Sequence, residues 1–191
     1  MSLTVALLRA TSLLALASPL LIGKRRPAPE DRLTPDTIVR ARLAVFANFG
    51  AFGLFFPALF VFAGSTHAPW ALALGVVGGA IAVTGAVIVW KSRVELGAAW
   101  SLLPKAGEQT GVVTSGPYRL VRHPIYLGLS VLAVGQAVAF SSGPAFLIVL
   151  ACVIPSFVWR AREEERLLIS IFGELYVSYC KKTKMIVPHV L

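Results

Sequence analysis

Long apolar runs separated by short polar segments set the pattern of this chain. Five runs stand out, at residues 3–22, 43–63, 70–90, 125–140 and 143–159. The first three hold about 20 residues each, enough to cross a hydrocarbon core of roughly 30 Å at ~1.5 Å per residue. The last two are shorter, 16 and 17 residues, and meet at Ser141-Ser142-Gly143-Pro144. An uncharged Gly-Pro break predicts the tip of a tight helical hairpin whose two arms pack as a pair. Backbone polar groups in lipid must be satisfied within their own segment, so each run predicts a helix. The predicted fold class is all-α: a polytopic integral membrane protein with about five transmembrane helices, the last two as a helical hairpin, and a C-terminal amphipathic helix.

The polar segments between the runs predict orientation. Residues 23–42 carry Lys24, Arg25, Arg26, Arg32, Arg40 and Arg42; residues 91–124 carry Lys91, Arg93, Lys105, Arg119 and Arg122. The tail from Arg160 adds Arg162, Arg166, Lys181, Lys182 and Lys184. With five spans these segments share one side and hold 17 of the 18 basic residues. By the positive-inside rule the N-terminus is outside, and the C-terminus lies on the cytoplasmic face of an inner or cytoplasmic membrane. Arg9 with Ala15-Leu16-Ala17 imitates a secretory signal, but cleavage there would send the basic segment outward, so the run is read as a retained span. Pro27, Pro29 and Pro35 make residues 23–42 an irregular linker ending in an interfacial turn. The chain divides into an N-terminal region, 1–90, and a region of chemistry, 91–191.

Composition agrees with membrane burial. Hydrophobic residues make up 57% and charged ones 14%, where a soluble domain has about 45–50% and about 25%. The net charge of +9 flanks apolar runs instead of forming a separate basic domain. It therefore reads as topology and contact with anionic headgroups, not nucleic-acid binding. Cys152 and Cys180 form neither a disulfide framework nor a metal pattern. Spans two to five contain no Asp, Glu, Lys or Arg, which argues against a transporter or pump and moves any chemistry to the cytoplasmic edge. Gly75 and Gly79, with Gly78 and Gly85 nearby, predict close helix packing. Trp70, Trp90, Trp100 and Trp159 fall near span ends, as an aromatic belt does.

Two segments at that edge are dense in polar and aromatic residues. The first runs Ser115-Gly116-Pro117-Tyr118-Arg119-Leu120-Val121-Arg122-His123-Pro124-Ile125-Tyr126-Leu127-Gly128. Pro124 restricts His123 to non-helical backbone, so His123 should cap the fourth span, where a helix N-terminus favours anions. The second leaves the fifth span as a helix, Arg160-Ala161-Arg162-Glu163-Glu164-Glu165-Arg166, with Glu164 and Arg160 on one face. Leu167, Leu168, Ile171, Leu175 and Tyr179 then form an apolar stripe suited to the membrane face, with a bend at Gly173.

Taken together, Gly116-Pro117-Tyr118, Arg122-His123-Pro124, Tyr126 and Gly128, with Glu164-Glu165, Phe172-Gly173, Tyr176 and Tyr179, resemble the isoprenylcysteine carboxyl methyltransferases. Bacterial phospholipid N-methyltransferases are similar, and Leu96-Gly97-Ala98-Ala99-Trp100-Ser101 fits an element of such proteins. The resemblance covers residues 90–188. It implies a membrane methyltransferase using S-adenosylmethionine, with Tyr118, His123, Tyr126, Glu164 and Glu165 lining the cofactor pocket. It also implies Arg122 and Arg160 at the reacting end, no metal, and a lipid-like or prenylated acceptor in the bilayer. The charges fit: glutamates can hold positive groups, and Arg or His a carboxylate. A carboxylate acceptor is ionised at pH 7 and needs no base; an amine acceptor must lose a proton, with His123 or Glu165 as candidate base. The residues alone leave both open; the intact Arg122-His123-Pro124 element of the resemblance favours ester formation on an isoprenylcysteine-like carboxylate, with phosphatidylethanolamine N-methylation as the alternative. A nicotinamide-dependent membrane reductase and a non-catalytic scaffold are further alternatives. Oligomeric state is not encoded in these patterns.

Overall fold

The computed structural model describes residues 3–7, 9–10, 35–97 and 111–187. Most of the first expected span and of the basic linker lies outside the described residues, as do residues 98–101, Lys105 and His189. Five α-helices order the rest: α1 (Pro35–Val61), α2 (Ala71–Leu96), α3 (Pro124–Ala139), α4 (Gly143–Phe172) and α5 (Glu174–Lys182). A 3₁₀ turn, Gly116–Arg119, precedes α3. Among the described residues, Val39–Val61, Ala71–Leu96 and Gly143–Phe172 are long and apolar enough to cross a membrane, and Pro124–Ala139 is a shorter apolar helix.

Helix ends follow local chemistry and outrun the apolar windows. α1 opens on proline, whose backbone suits a first helical position, with Asp36 in its first turn. Arg40 and Arg42, expected in the linker, therefore ride on helix. α2 continues past Trp90 through Lys91 and Arg93 until Gly97, whose φ of 50° ends it. α4 carries a π-helical stretch, Val149–Val153, just before Pro155. A proline lacks the amide hydrogen and crowds the carbonyl four residues back, and a widened turn relieves both. Gly173, with φ 56°, stops α4 and starts α5 at the expected bend.

Packing differs from a simple pairing of the last two spans. The turn at Ser141–Ser142 joins α3 to α4 as expected, but α3 packs most extensively on α2, and α4 on α1. The α2–α3 seam is made by glycines in backbone contact. A Cβ built on Gly78 would lie 2.6 Å from the Gly135 carbonyl, and one on Gly85 would lie 2.6 Å from that of Gly128. Gly79 has nothing within 4 Å, so the seam uses Gly78, Ala82 and Gly85, and Gly79 stands outside it, whereas Gly75 is buried. In the second layer Phe55, Leu59, Val149, Val153 and Phe157 form the core between α1 and α4.

The uncharged end of the bundle holds Arg9. Its guanidinium donates to the carbonyls of Gly64 (3.0 Å), Phe140 (3.1 Å) and Ala139 (3.2 Å) and lies 5.1 Å from the Phe140 ring centroid. The last carbonyls of a helix carry partial negative charge, so the one basic residue outside the basic segments sits where α3 ends.

Candidate active site

At the opposite end of the bundle, the entrance to α3 faces the middle of α4. His123 occupies the N-cap position with φ −121° and ψ 60°, as Pro124 dictates. Its carbonyl accepts from the amides of Tyr126 and Leu127, but its side chain makes no capping bond. The imidazole turns to α4 instead. Nδ1 lies 3.8 Å from Glu164 Oε2, and Nε2 lies 3.3 Å from Glu165 Oε1 without the alignment of a hydrogen bond. Three residues on, Tyr126 donates its hydroxyl to Glu164 Oε2 at 2.6 Å. Its ring stacks on His123 at 5.4 Å and on Phe157 at 5.3 Å. The Arg160 guanidinium carbon lies 5.6 Å from the centre of the same ring. His123, Tyr126, Glu164, Glu165 and Arg160 thus form one cluster.

Arg122 joins it from below. Its Nε donates to Glu165 Oε1 at 2.5 Å, and its Nη1 donates to the carbonyls of Cys180, at 3.1 Å, and Thr183. Burial pulls the guanidinium pKa down, but the hydrogen bond and charge of Glu165 outweigh it, so the net shift is upward. The tail itself is strapped to this segment. The Arg122 amide donates to Lys184 at 2.8 Å and the His123 amide to Met185 at 2.9 Å, a short parallel bridge. Met185 and Ile186 then bury against Ala161. Arg122 therefore ties α3, α4 and the tail together, and Arg160 is the arginine on the aromatic side of the cluster.

Tyr118 completes the lining. Gly116, at φ 55°, sets the 3₁₀ turn; a Cβ there would meet Glu95 Oε2 at 2.8 Å, and Ser115 Oγ donates to Glu95 Oε1. The turn buries the Tyr118 side chain, and its hydroxyl has no partner within the protein. Burial first, and the charge of Glu164 second, push its pKa well up, so it stays a hydrogen-bond donor. Tyr179 on α5 donates to the Tyr118 carbonyl at 2.5 Å.

Two features depart from the sequence expectations. The expected stripe does not stay on one surface beyond the bend at Gly173: Leu175 is 57% exposed, whereas Tyr179 turns inward with Tyr176. Glu163, to which the sequence reading gave no role, is buried and pairs with Arg166 at 2.6 Å and with the Trp159 indole at 3.3 Å. The sequence reading also passed over Asn48 and Ser156, which bond to each other at 2.6 Å behind Arg160. An amide amid the apolar residues of span two was the available signal. Among the described residues no His/Cys/Asp/Glu group could hold a metal ion.

Known proteins place this arrangement in context. Residues 73–175, slightly more than half the chain, match the family model described as phospholipid methyltransferase. Protein-S-isoprenylcysteine O-methyltransferase A of Arabidopsis thaliana is 37% identical over 84 residues, which are 44% of this chain. The chain spans only 42% of that relative's length. The cobalt-zinc-cadmium resistance protein CzcN of Cupriavidus metallidurans is 29% identical over 182 residues, 88% of this chain and 74% of that protein. The solved eukaryotic intramembrane Ras methyltransferase, an isoprenylcysteine carboxyl methyltransferase, aligns with a TM-score of 0.53 over 98% of this chain and 64% of its own. At 19% identity that likeness is one of fold.

Proposed function

Because the chain belongs to the phospholipid methyltransferase family, we propose that it is an integral membrane methyltransferase that uses S-adenosylmethionine to esterify the carboxylate of an isoprenylcysteine-like lipid. The observation that carries this reading is the cluster at the α3 entrance. His123 lies close to Glu164 and Glu165, Tyr126 bonds Glu164, and Arg160 lies against the Tyr126 ring. The N-terminus outside and the site on the cytoplasmic face belong to the same proposal, supported by the one-sided basic residues.

The lining suits such a cofactor. The buried Tyr118 hydroxyl and His123 Nε2 lack aligned hydrogen-bond partners, and an orphaned buried polar group costs about 1–3 kcal/mol unless something satisfies it. Glu164 accepts from Tyr126, and its side chain is 29% exposed. It keeps acceptor capacity for a cationic group. When bound, S-adenosylmethionine supplies a methyl group on a positively charged sulfur. Glu164 and Glu165 would favour positive charge here, and Tyr118 and His123 would bind its polar edges.

For the acceptor, Arg160 would hold a carboxylate in line with the transferred group, so catalysis is positioning plus electrostatics. A carboxylate is ionised at neutral pH, and no residue of the cluster has to act as a base. Arg122 holds Glu165 and the tail in this scheme instead of touching the acceptor. Phosphatidylethanolamine N-methylation is the competing outcome, and a labelled-methyl assay separates the two. N-acetyl-S-farnesyl-cysteine should yield a base-labile methyl ester, and membrane lipid no methylamine. Glu164→Gln and His123→Ala should each weaken S-adenosylhomocysteine binding by roughly 10-fold or more, the size of a lost bond to a charged group, with melting preserved. Unchanged affinity in both removes the site assignment.

A further inference from the structure

We propose that Asn48, on α1 and upstream of the family-matched residues 73–175, is a positioning residue that sets Arg160 for the acceptor. This rests on the methyltransferase reading above and adds a part of the chain that the reading does not use. Asn48 is 5% exposed and is the one buried polar residue among the described residues of α1. Its Nδ2 donates to Ser156 Oγ at 2.6 Å, and its Oδ1 accepts from Arg160 Nη1 at 3.4 Å. Ser156 in turn donates to the Val153 carbonyl at 2.8 Å, at the exit of the π-helical stretch. The amide is thus fixed by a bond to a distorted, well-defined piece of α4, and its other end meets the guanidinium one turn further along.

The chemistry of an amide suits this place. One acceptor and one donor satisfy Arg160 and Ser156 together without adding charge. A carboxylate here would place a full countercharge beside Arg160 and compete with an acceptor carboxylate for it. An aliphatic residue would leave Ser156 and one face of the guanidinium without this partner. Arg160 also lies against the ring of Tyr126, whose hydroxyl donates to Glu164. Asn48 touches none of Tyr118, His123, Glu164 or Glu165 through a hydrogen bond, so its influence should fall on the acceptor side.

The test is steady-state kinetics of the full chain in detergent with N-acetyl-S-farnesyl-cysteine, together with S-adenosylhomocysteine titration. Asn48→Ala should raise the acceptor KM by roughly tenfold, the low end for a bond to a charged group, and leave S-adenosylhomocysteine affinity within about twofold. Asn48→Asp should raise KM further. In an Arg160→Ala background Asn48→Ala should add less than about twofold, because residues acting as a unit are not additive. Ser156→Ala, which removes only the anchor, should shift the same parameter by less and serves if Asn48→Ala does not fold. Equal losses in KM and cofactor affinity, or additive losses across the cycle, would make Asn48 a packing residue and overturn the proposal. An active wild type with unchanged Asn48 and Ser156 variants overturns this inference alone. A folded wild type that methylates no such probe overturns the reading beneath it as well.

Discussion

Gly135→Ala is the sharpest test of the α2–α3 seam. A methyl group at Gly135 would stand 2.3 Å from the Ala82 amide nitrogen and 2.7 Å from the Gly78 carbonyl. Both are backbone atoms and cannot rotate aside. Ordinary contact begins near 3.4 Å, so the helices must part by roughly 1 Å, and overpacking of this kind costs ~1–3 kcal/mol. Alanine also favours the helix over glycine by ~0.5–1 kcal/mol. Gly79→Ala gains that same propensity with nothing within 4 Å to meet. The difference between the two variants therefore isolates the packing term, ~1–3 kcal/mol. In a chain of this size it corresponds to roughly 2–4 °C in Tm per kcal/mol. Thermal and denaturant unfolding in a fixed detergent, followed by circular dichroism, reads it directly. Because α3 carries His123 at its start, S-adenosylhomocysteine affinity should fall in Gly135→Ala and hold in Gly79→Ala. Equal stabilities for the two variants would refute the seam.

Four further outcomes follow from the geometry. Glu164→Gln and His123→Ala should lose S-adenosylhomocysteine affinity without loss of melting temperature, by calorimetric titration. Asn48→Ala should raise the acceptor KM and spare cofactor affinity. Arg9→Ala removes three bonds to carbonyls at the α3 terminus and should cost ~1.5–3 kcal/mol in unfolding experiments, with Arg9→Lys restoring part. The Tyr179 phenol is pushed from 10.0 up to about 12, chiefly by burial. The folded state then keeps a proton that the unfolded chain releases. Stability is full below pH 10 and falls towards pH 12 by up to ~1.4 kcal/mol per unit, a slope that should be shallower in Tyr179→Phe.

The helices were legible because lipid allows little else: apolar runs of span length must be helical, and α1 to α4 occupy four of the five expected runs. Their ends were less so. A hydropathy window stops at the first charge, whereas the helix stops at a glycine; hence Lys91 and Arg93 lie on α2, which runs to Gly97. The seam was read as glycine packing, and Gly78 and Gly85 carry it while Gly79 faces away, because spacing identifies which small residues meet only once the partner helix is known. Of the residues that the joint pattern singled out, His123, Tyr126, Glu164 and Glu165 come together in space. Asn48 was missed because its meaning depends on a partner 112 residues away. The pairing of Arg122 and His123 with Lys184 and Met185 is made by backbone atoms, and side-chain identity carries no trace of that.

The two arginines share a motif-level expectation but differ in their surroundings. Both were expected at the reacting end, since both flank the motif and both carry a permanent charge. A guanidinium presents its donors in a fixed fork, so each donor engaged elsewhere is one withdrawn from a ligand. Arg122 directs Nε to Glu165 and Nη1 to the carbonyls that close α5 and begin the tail. Its charge is used to hold a glutamate in place and to neutralise the carboxylate and carbonyl groups gathered there. Arg160 instead meets a neutral amide and an aromatic face. Both contacts are uncharged, and in the proposed scheme the guanidinium would act on a carboxylate that arrives. Under the proposed reading the division follows from these contacts: Arg122, held by a carboxylate and carbonyls, would build the site, and Arg160, beside Asn48 and the Tyr126 ring, would meet the substrate.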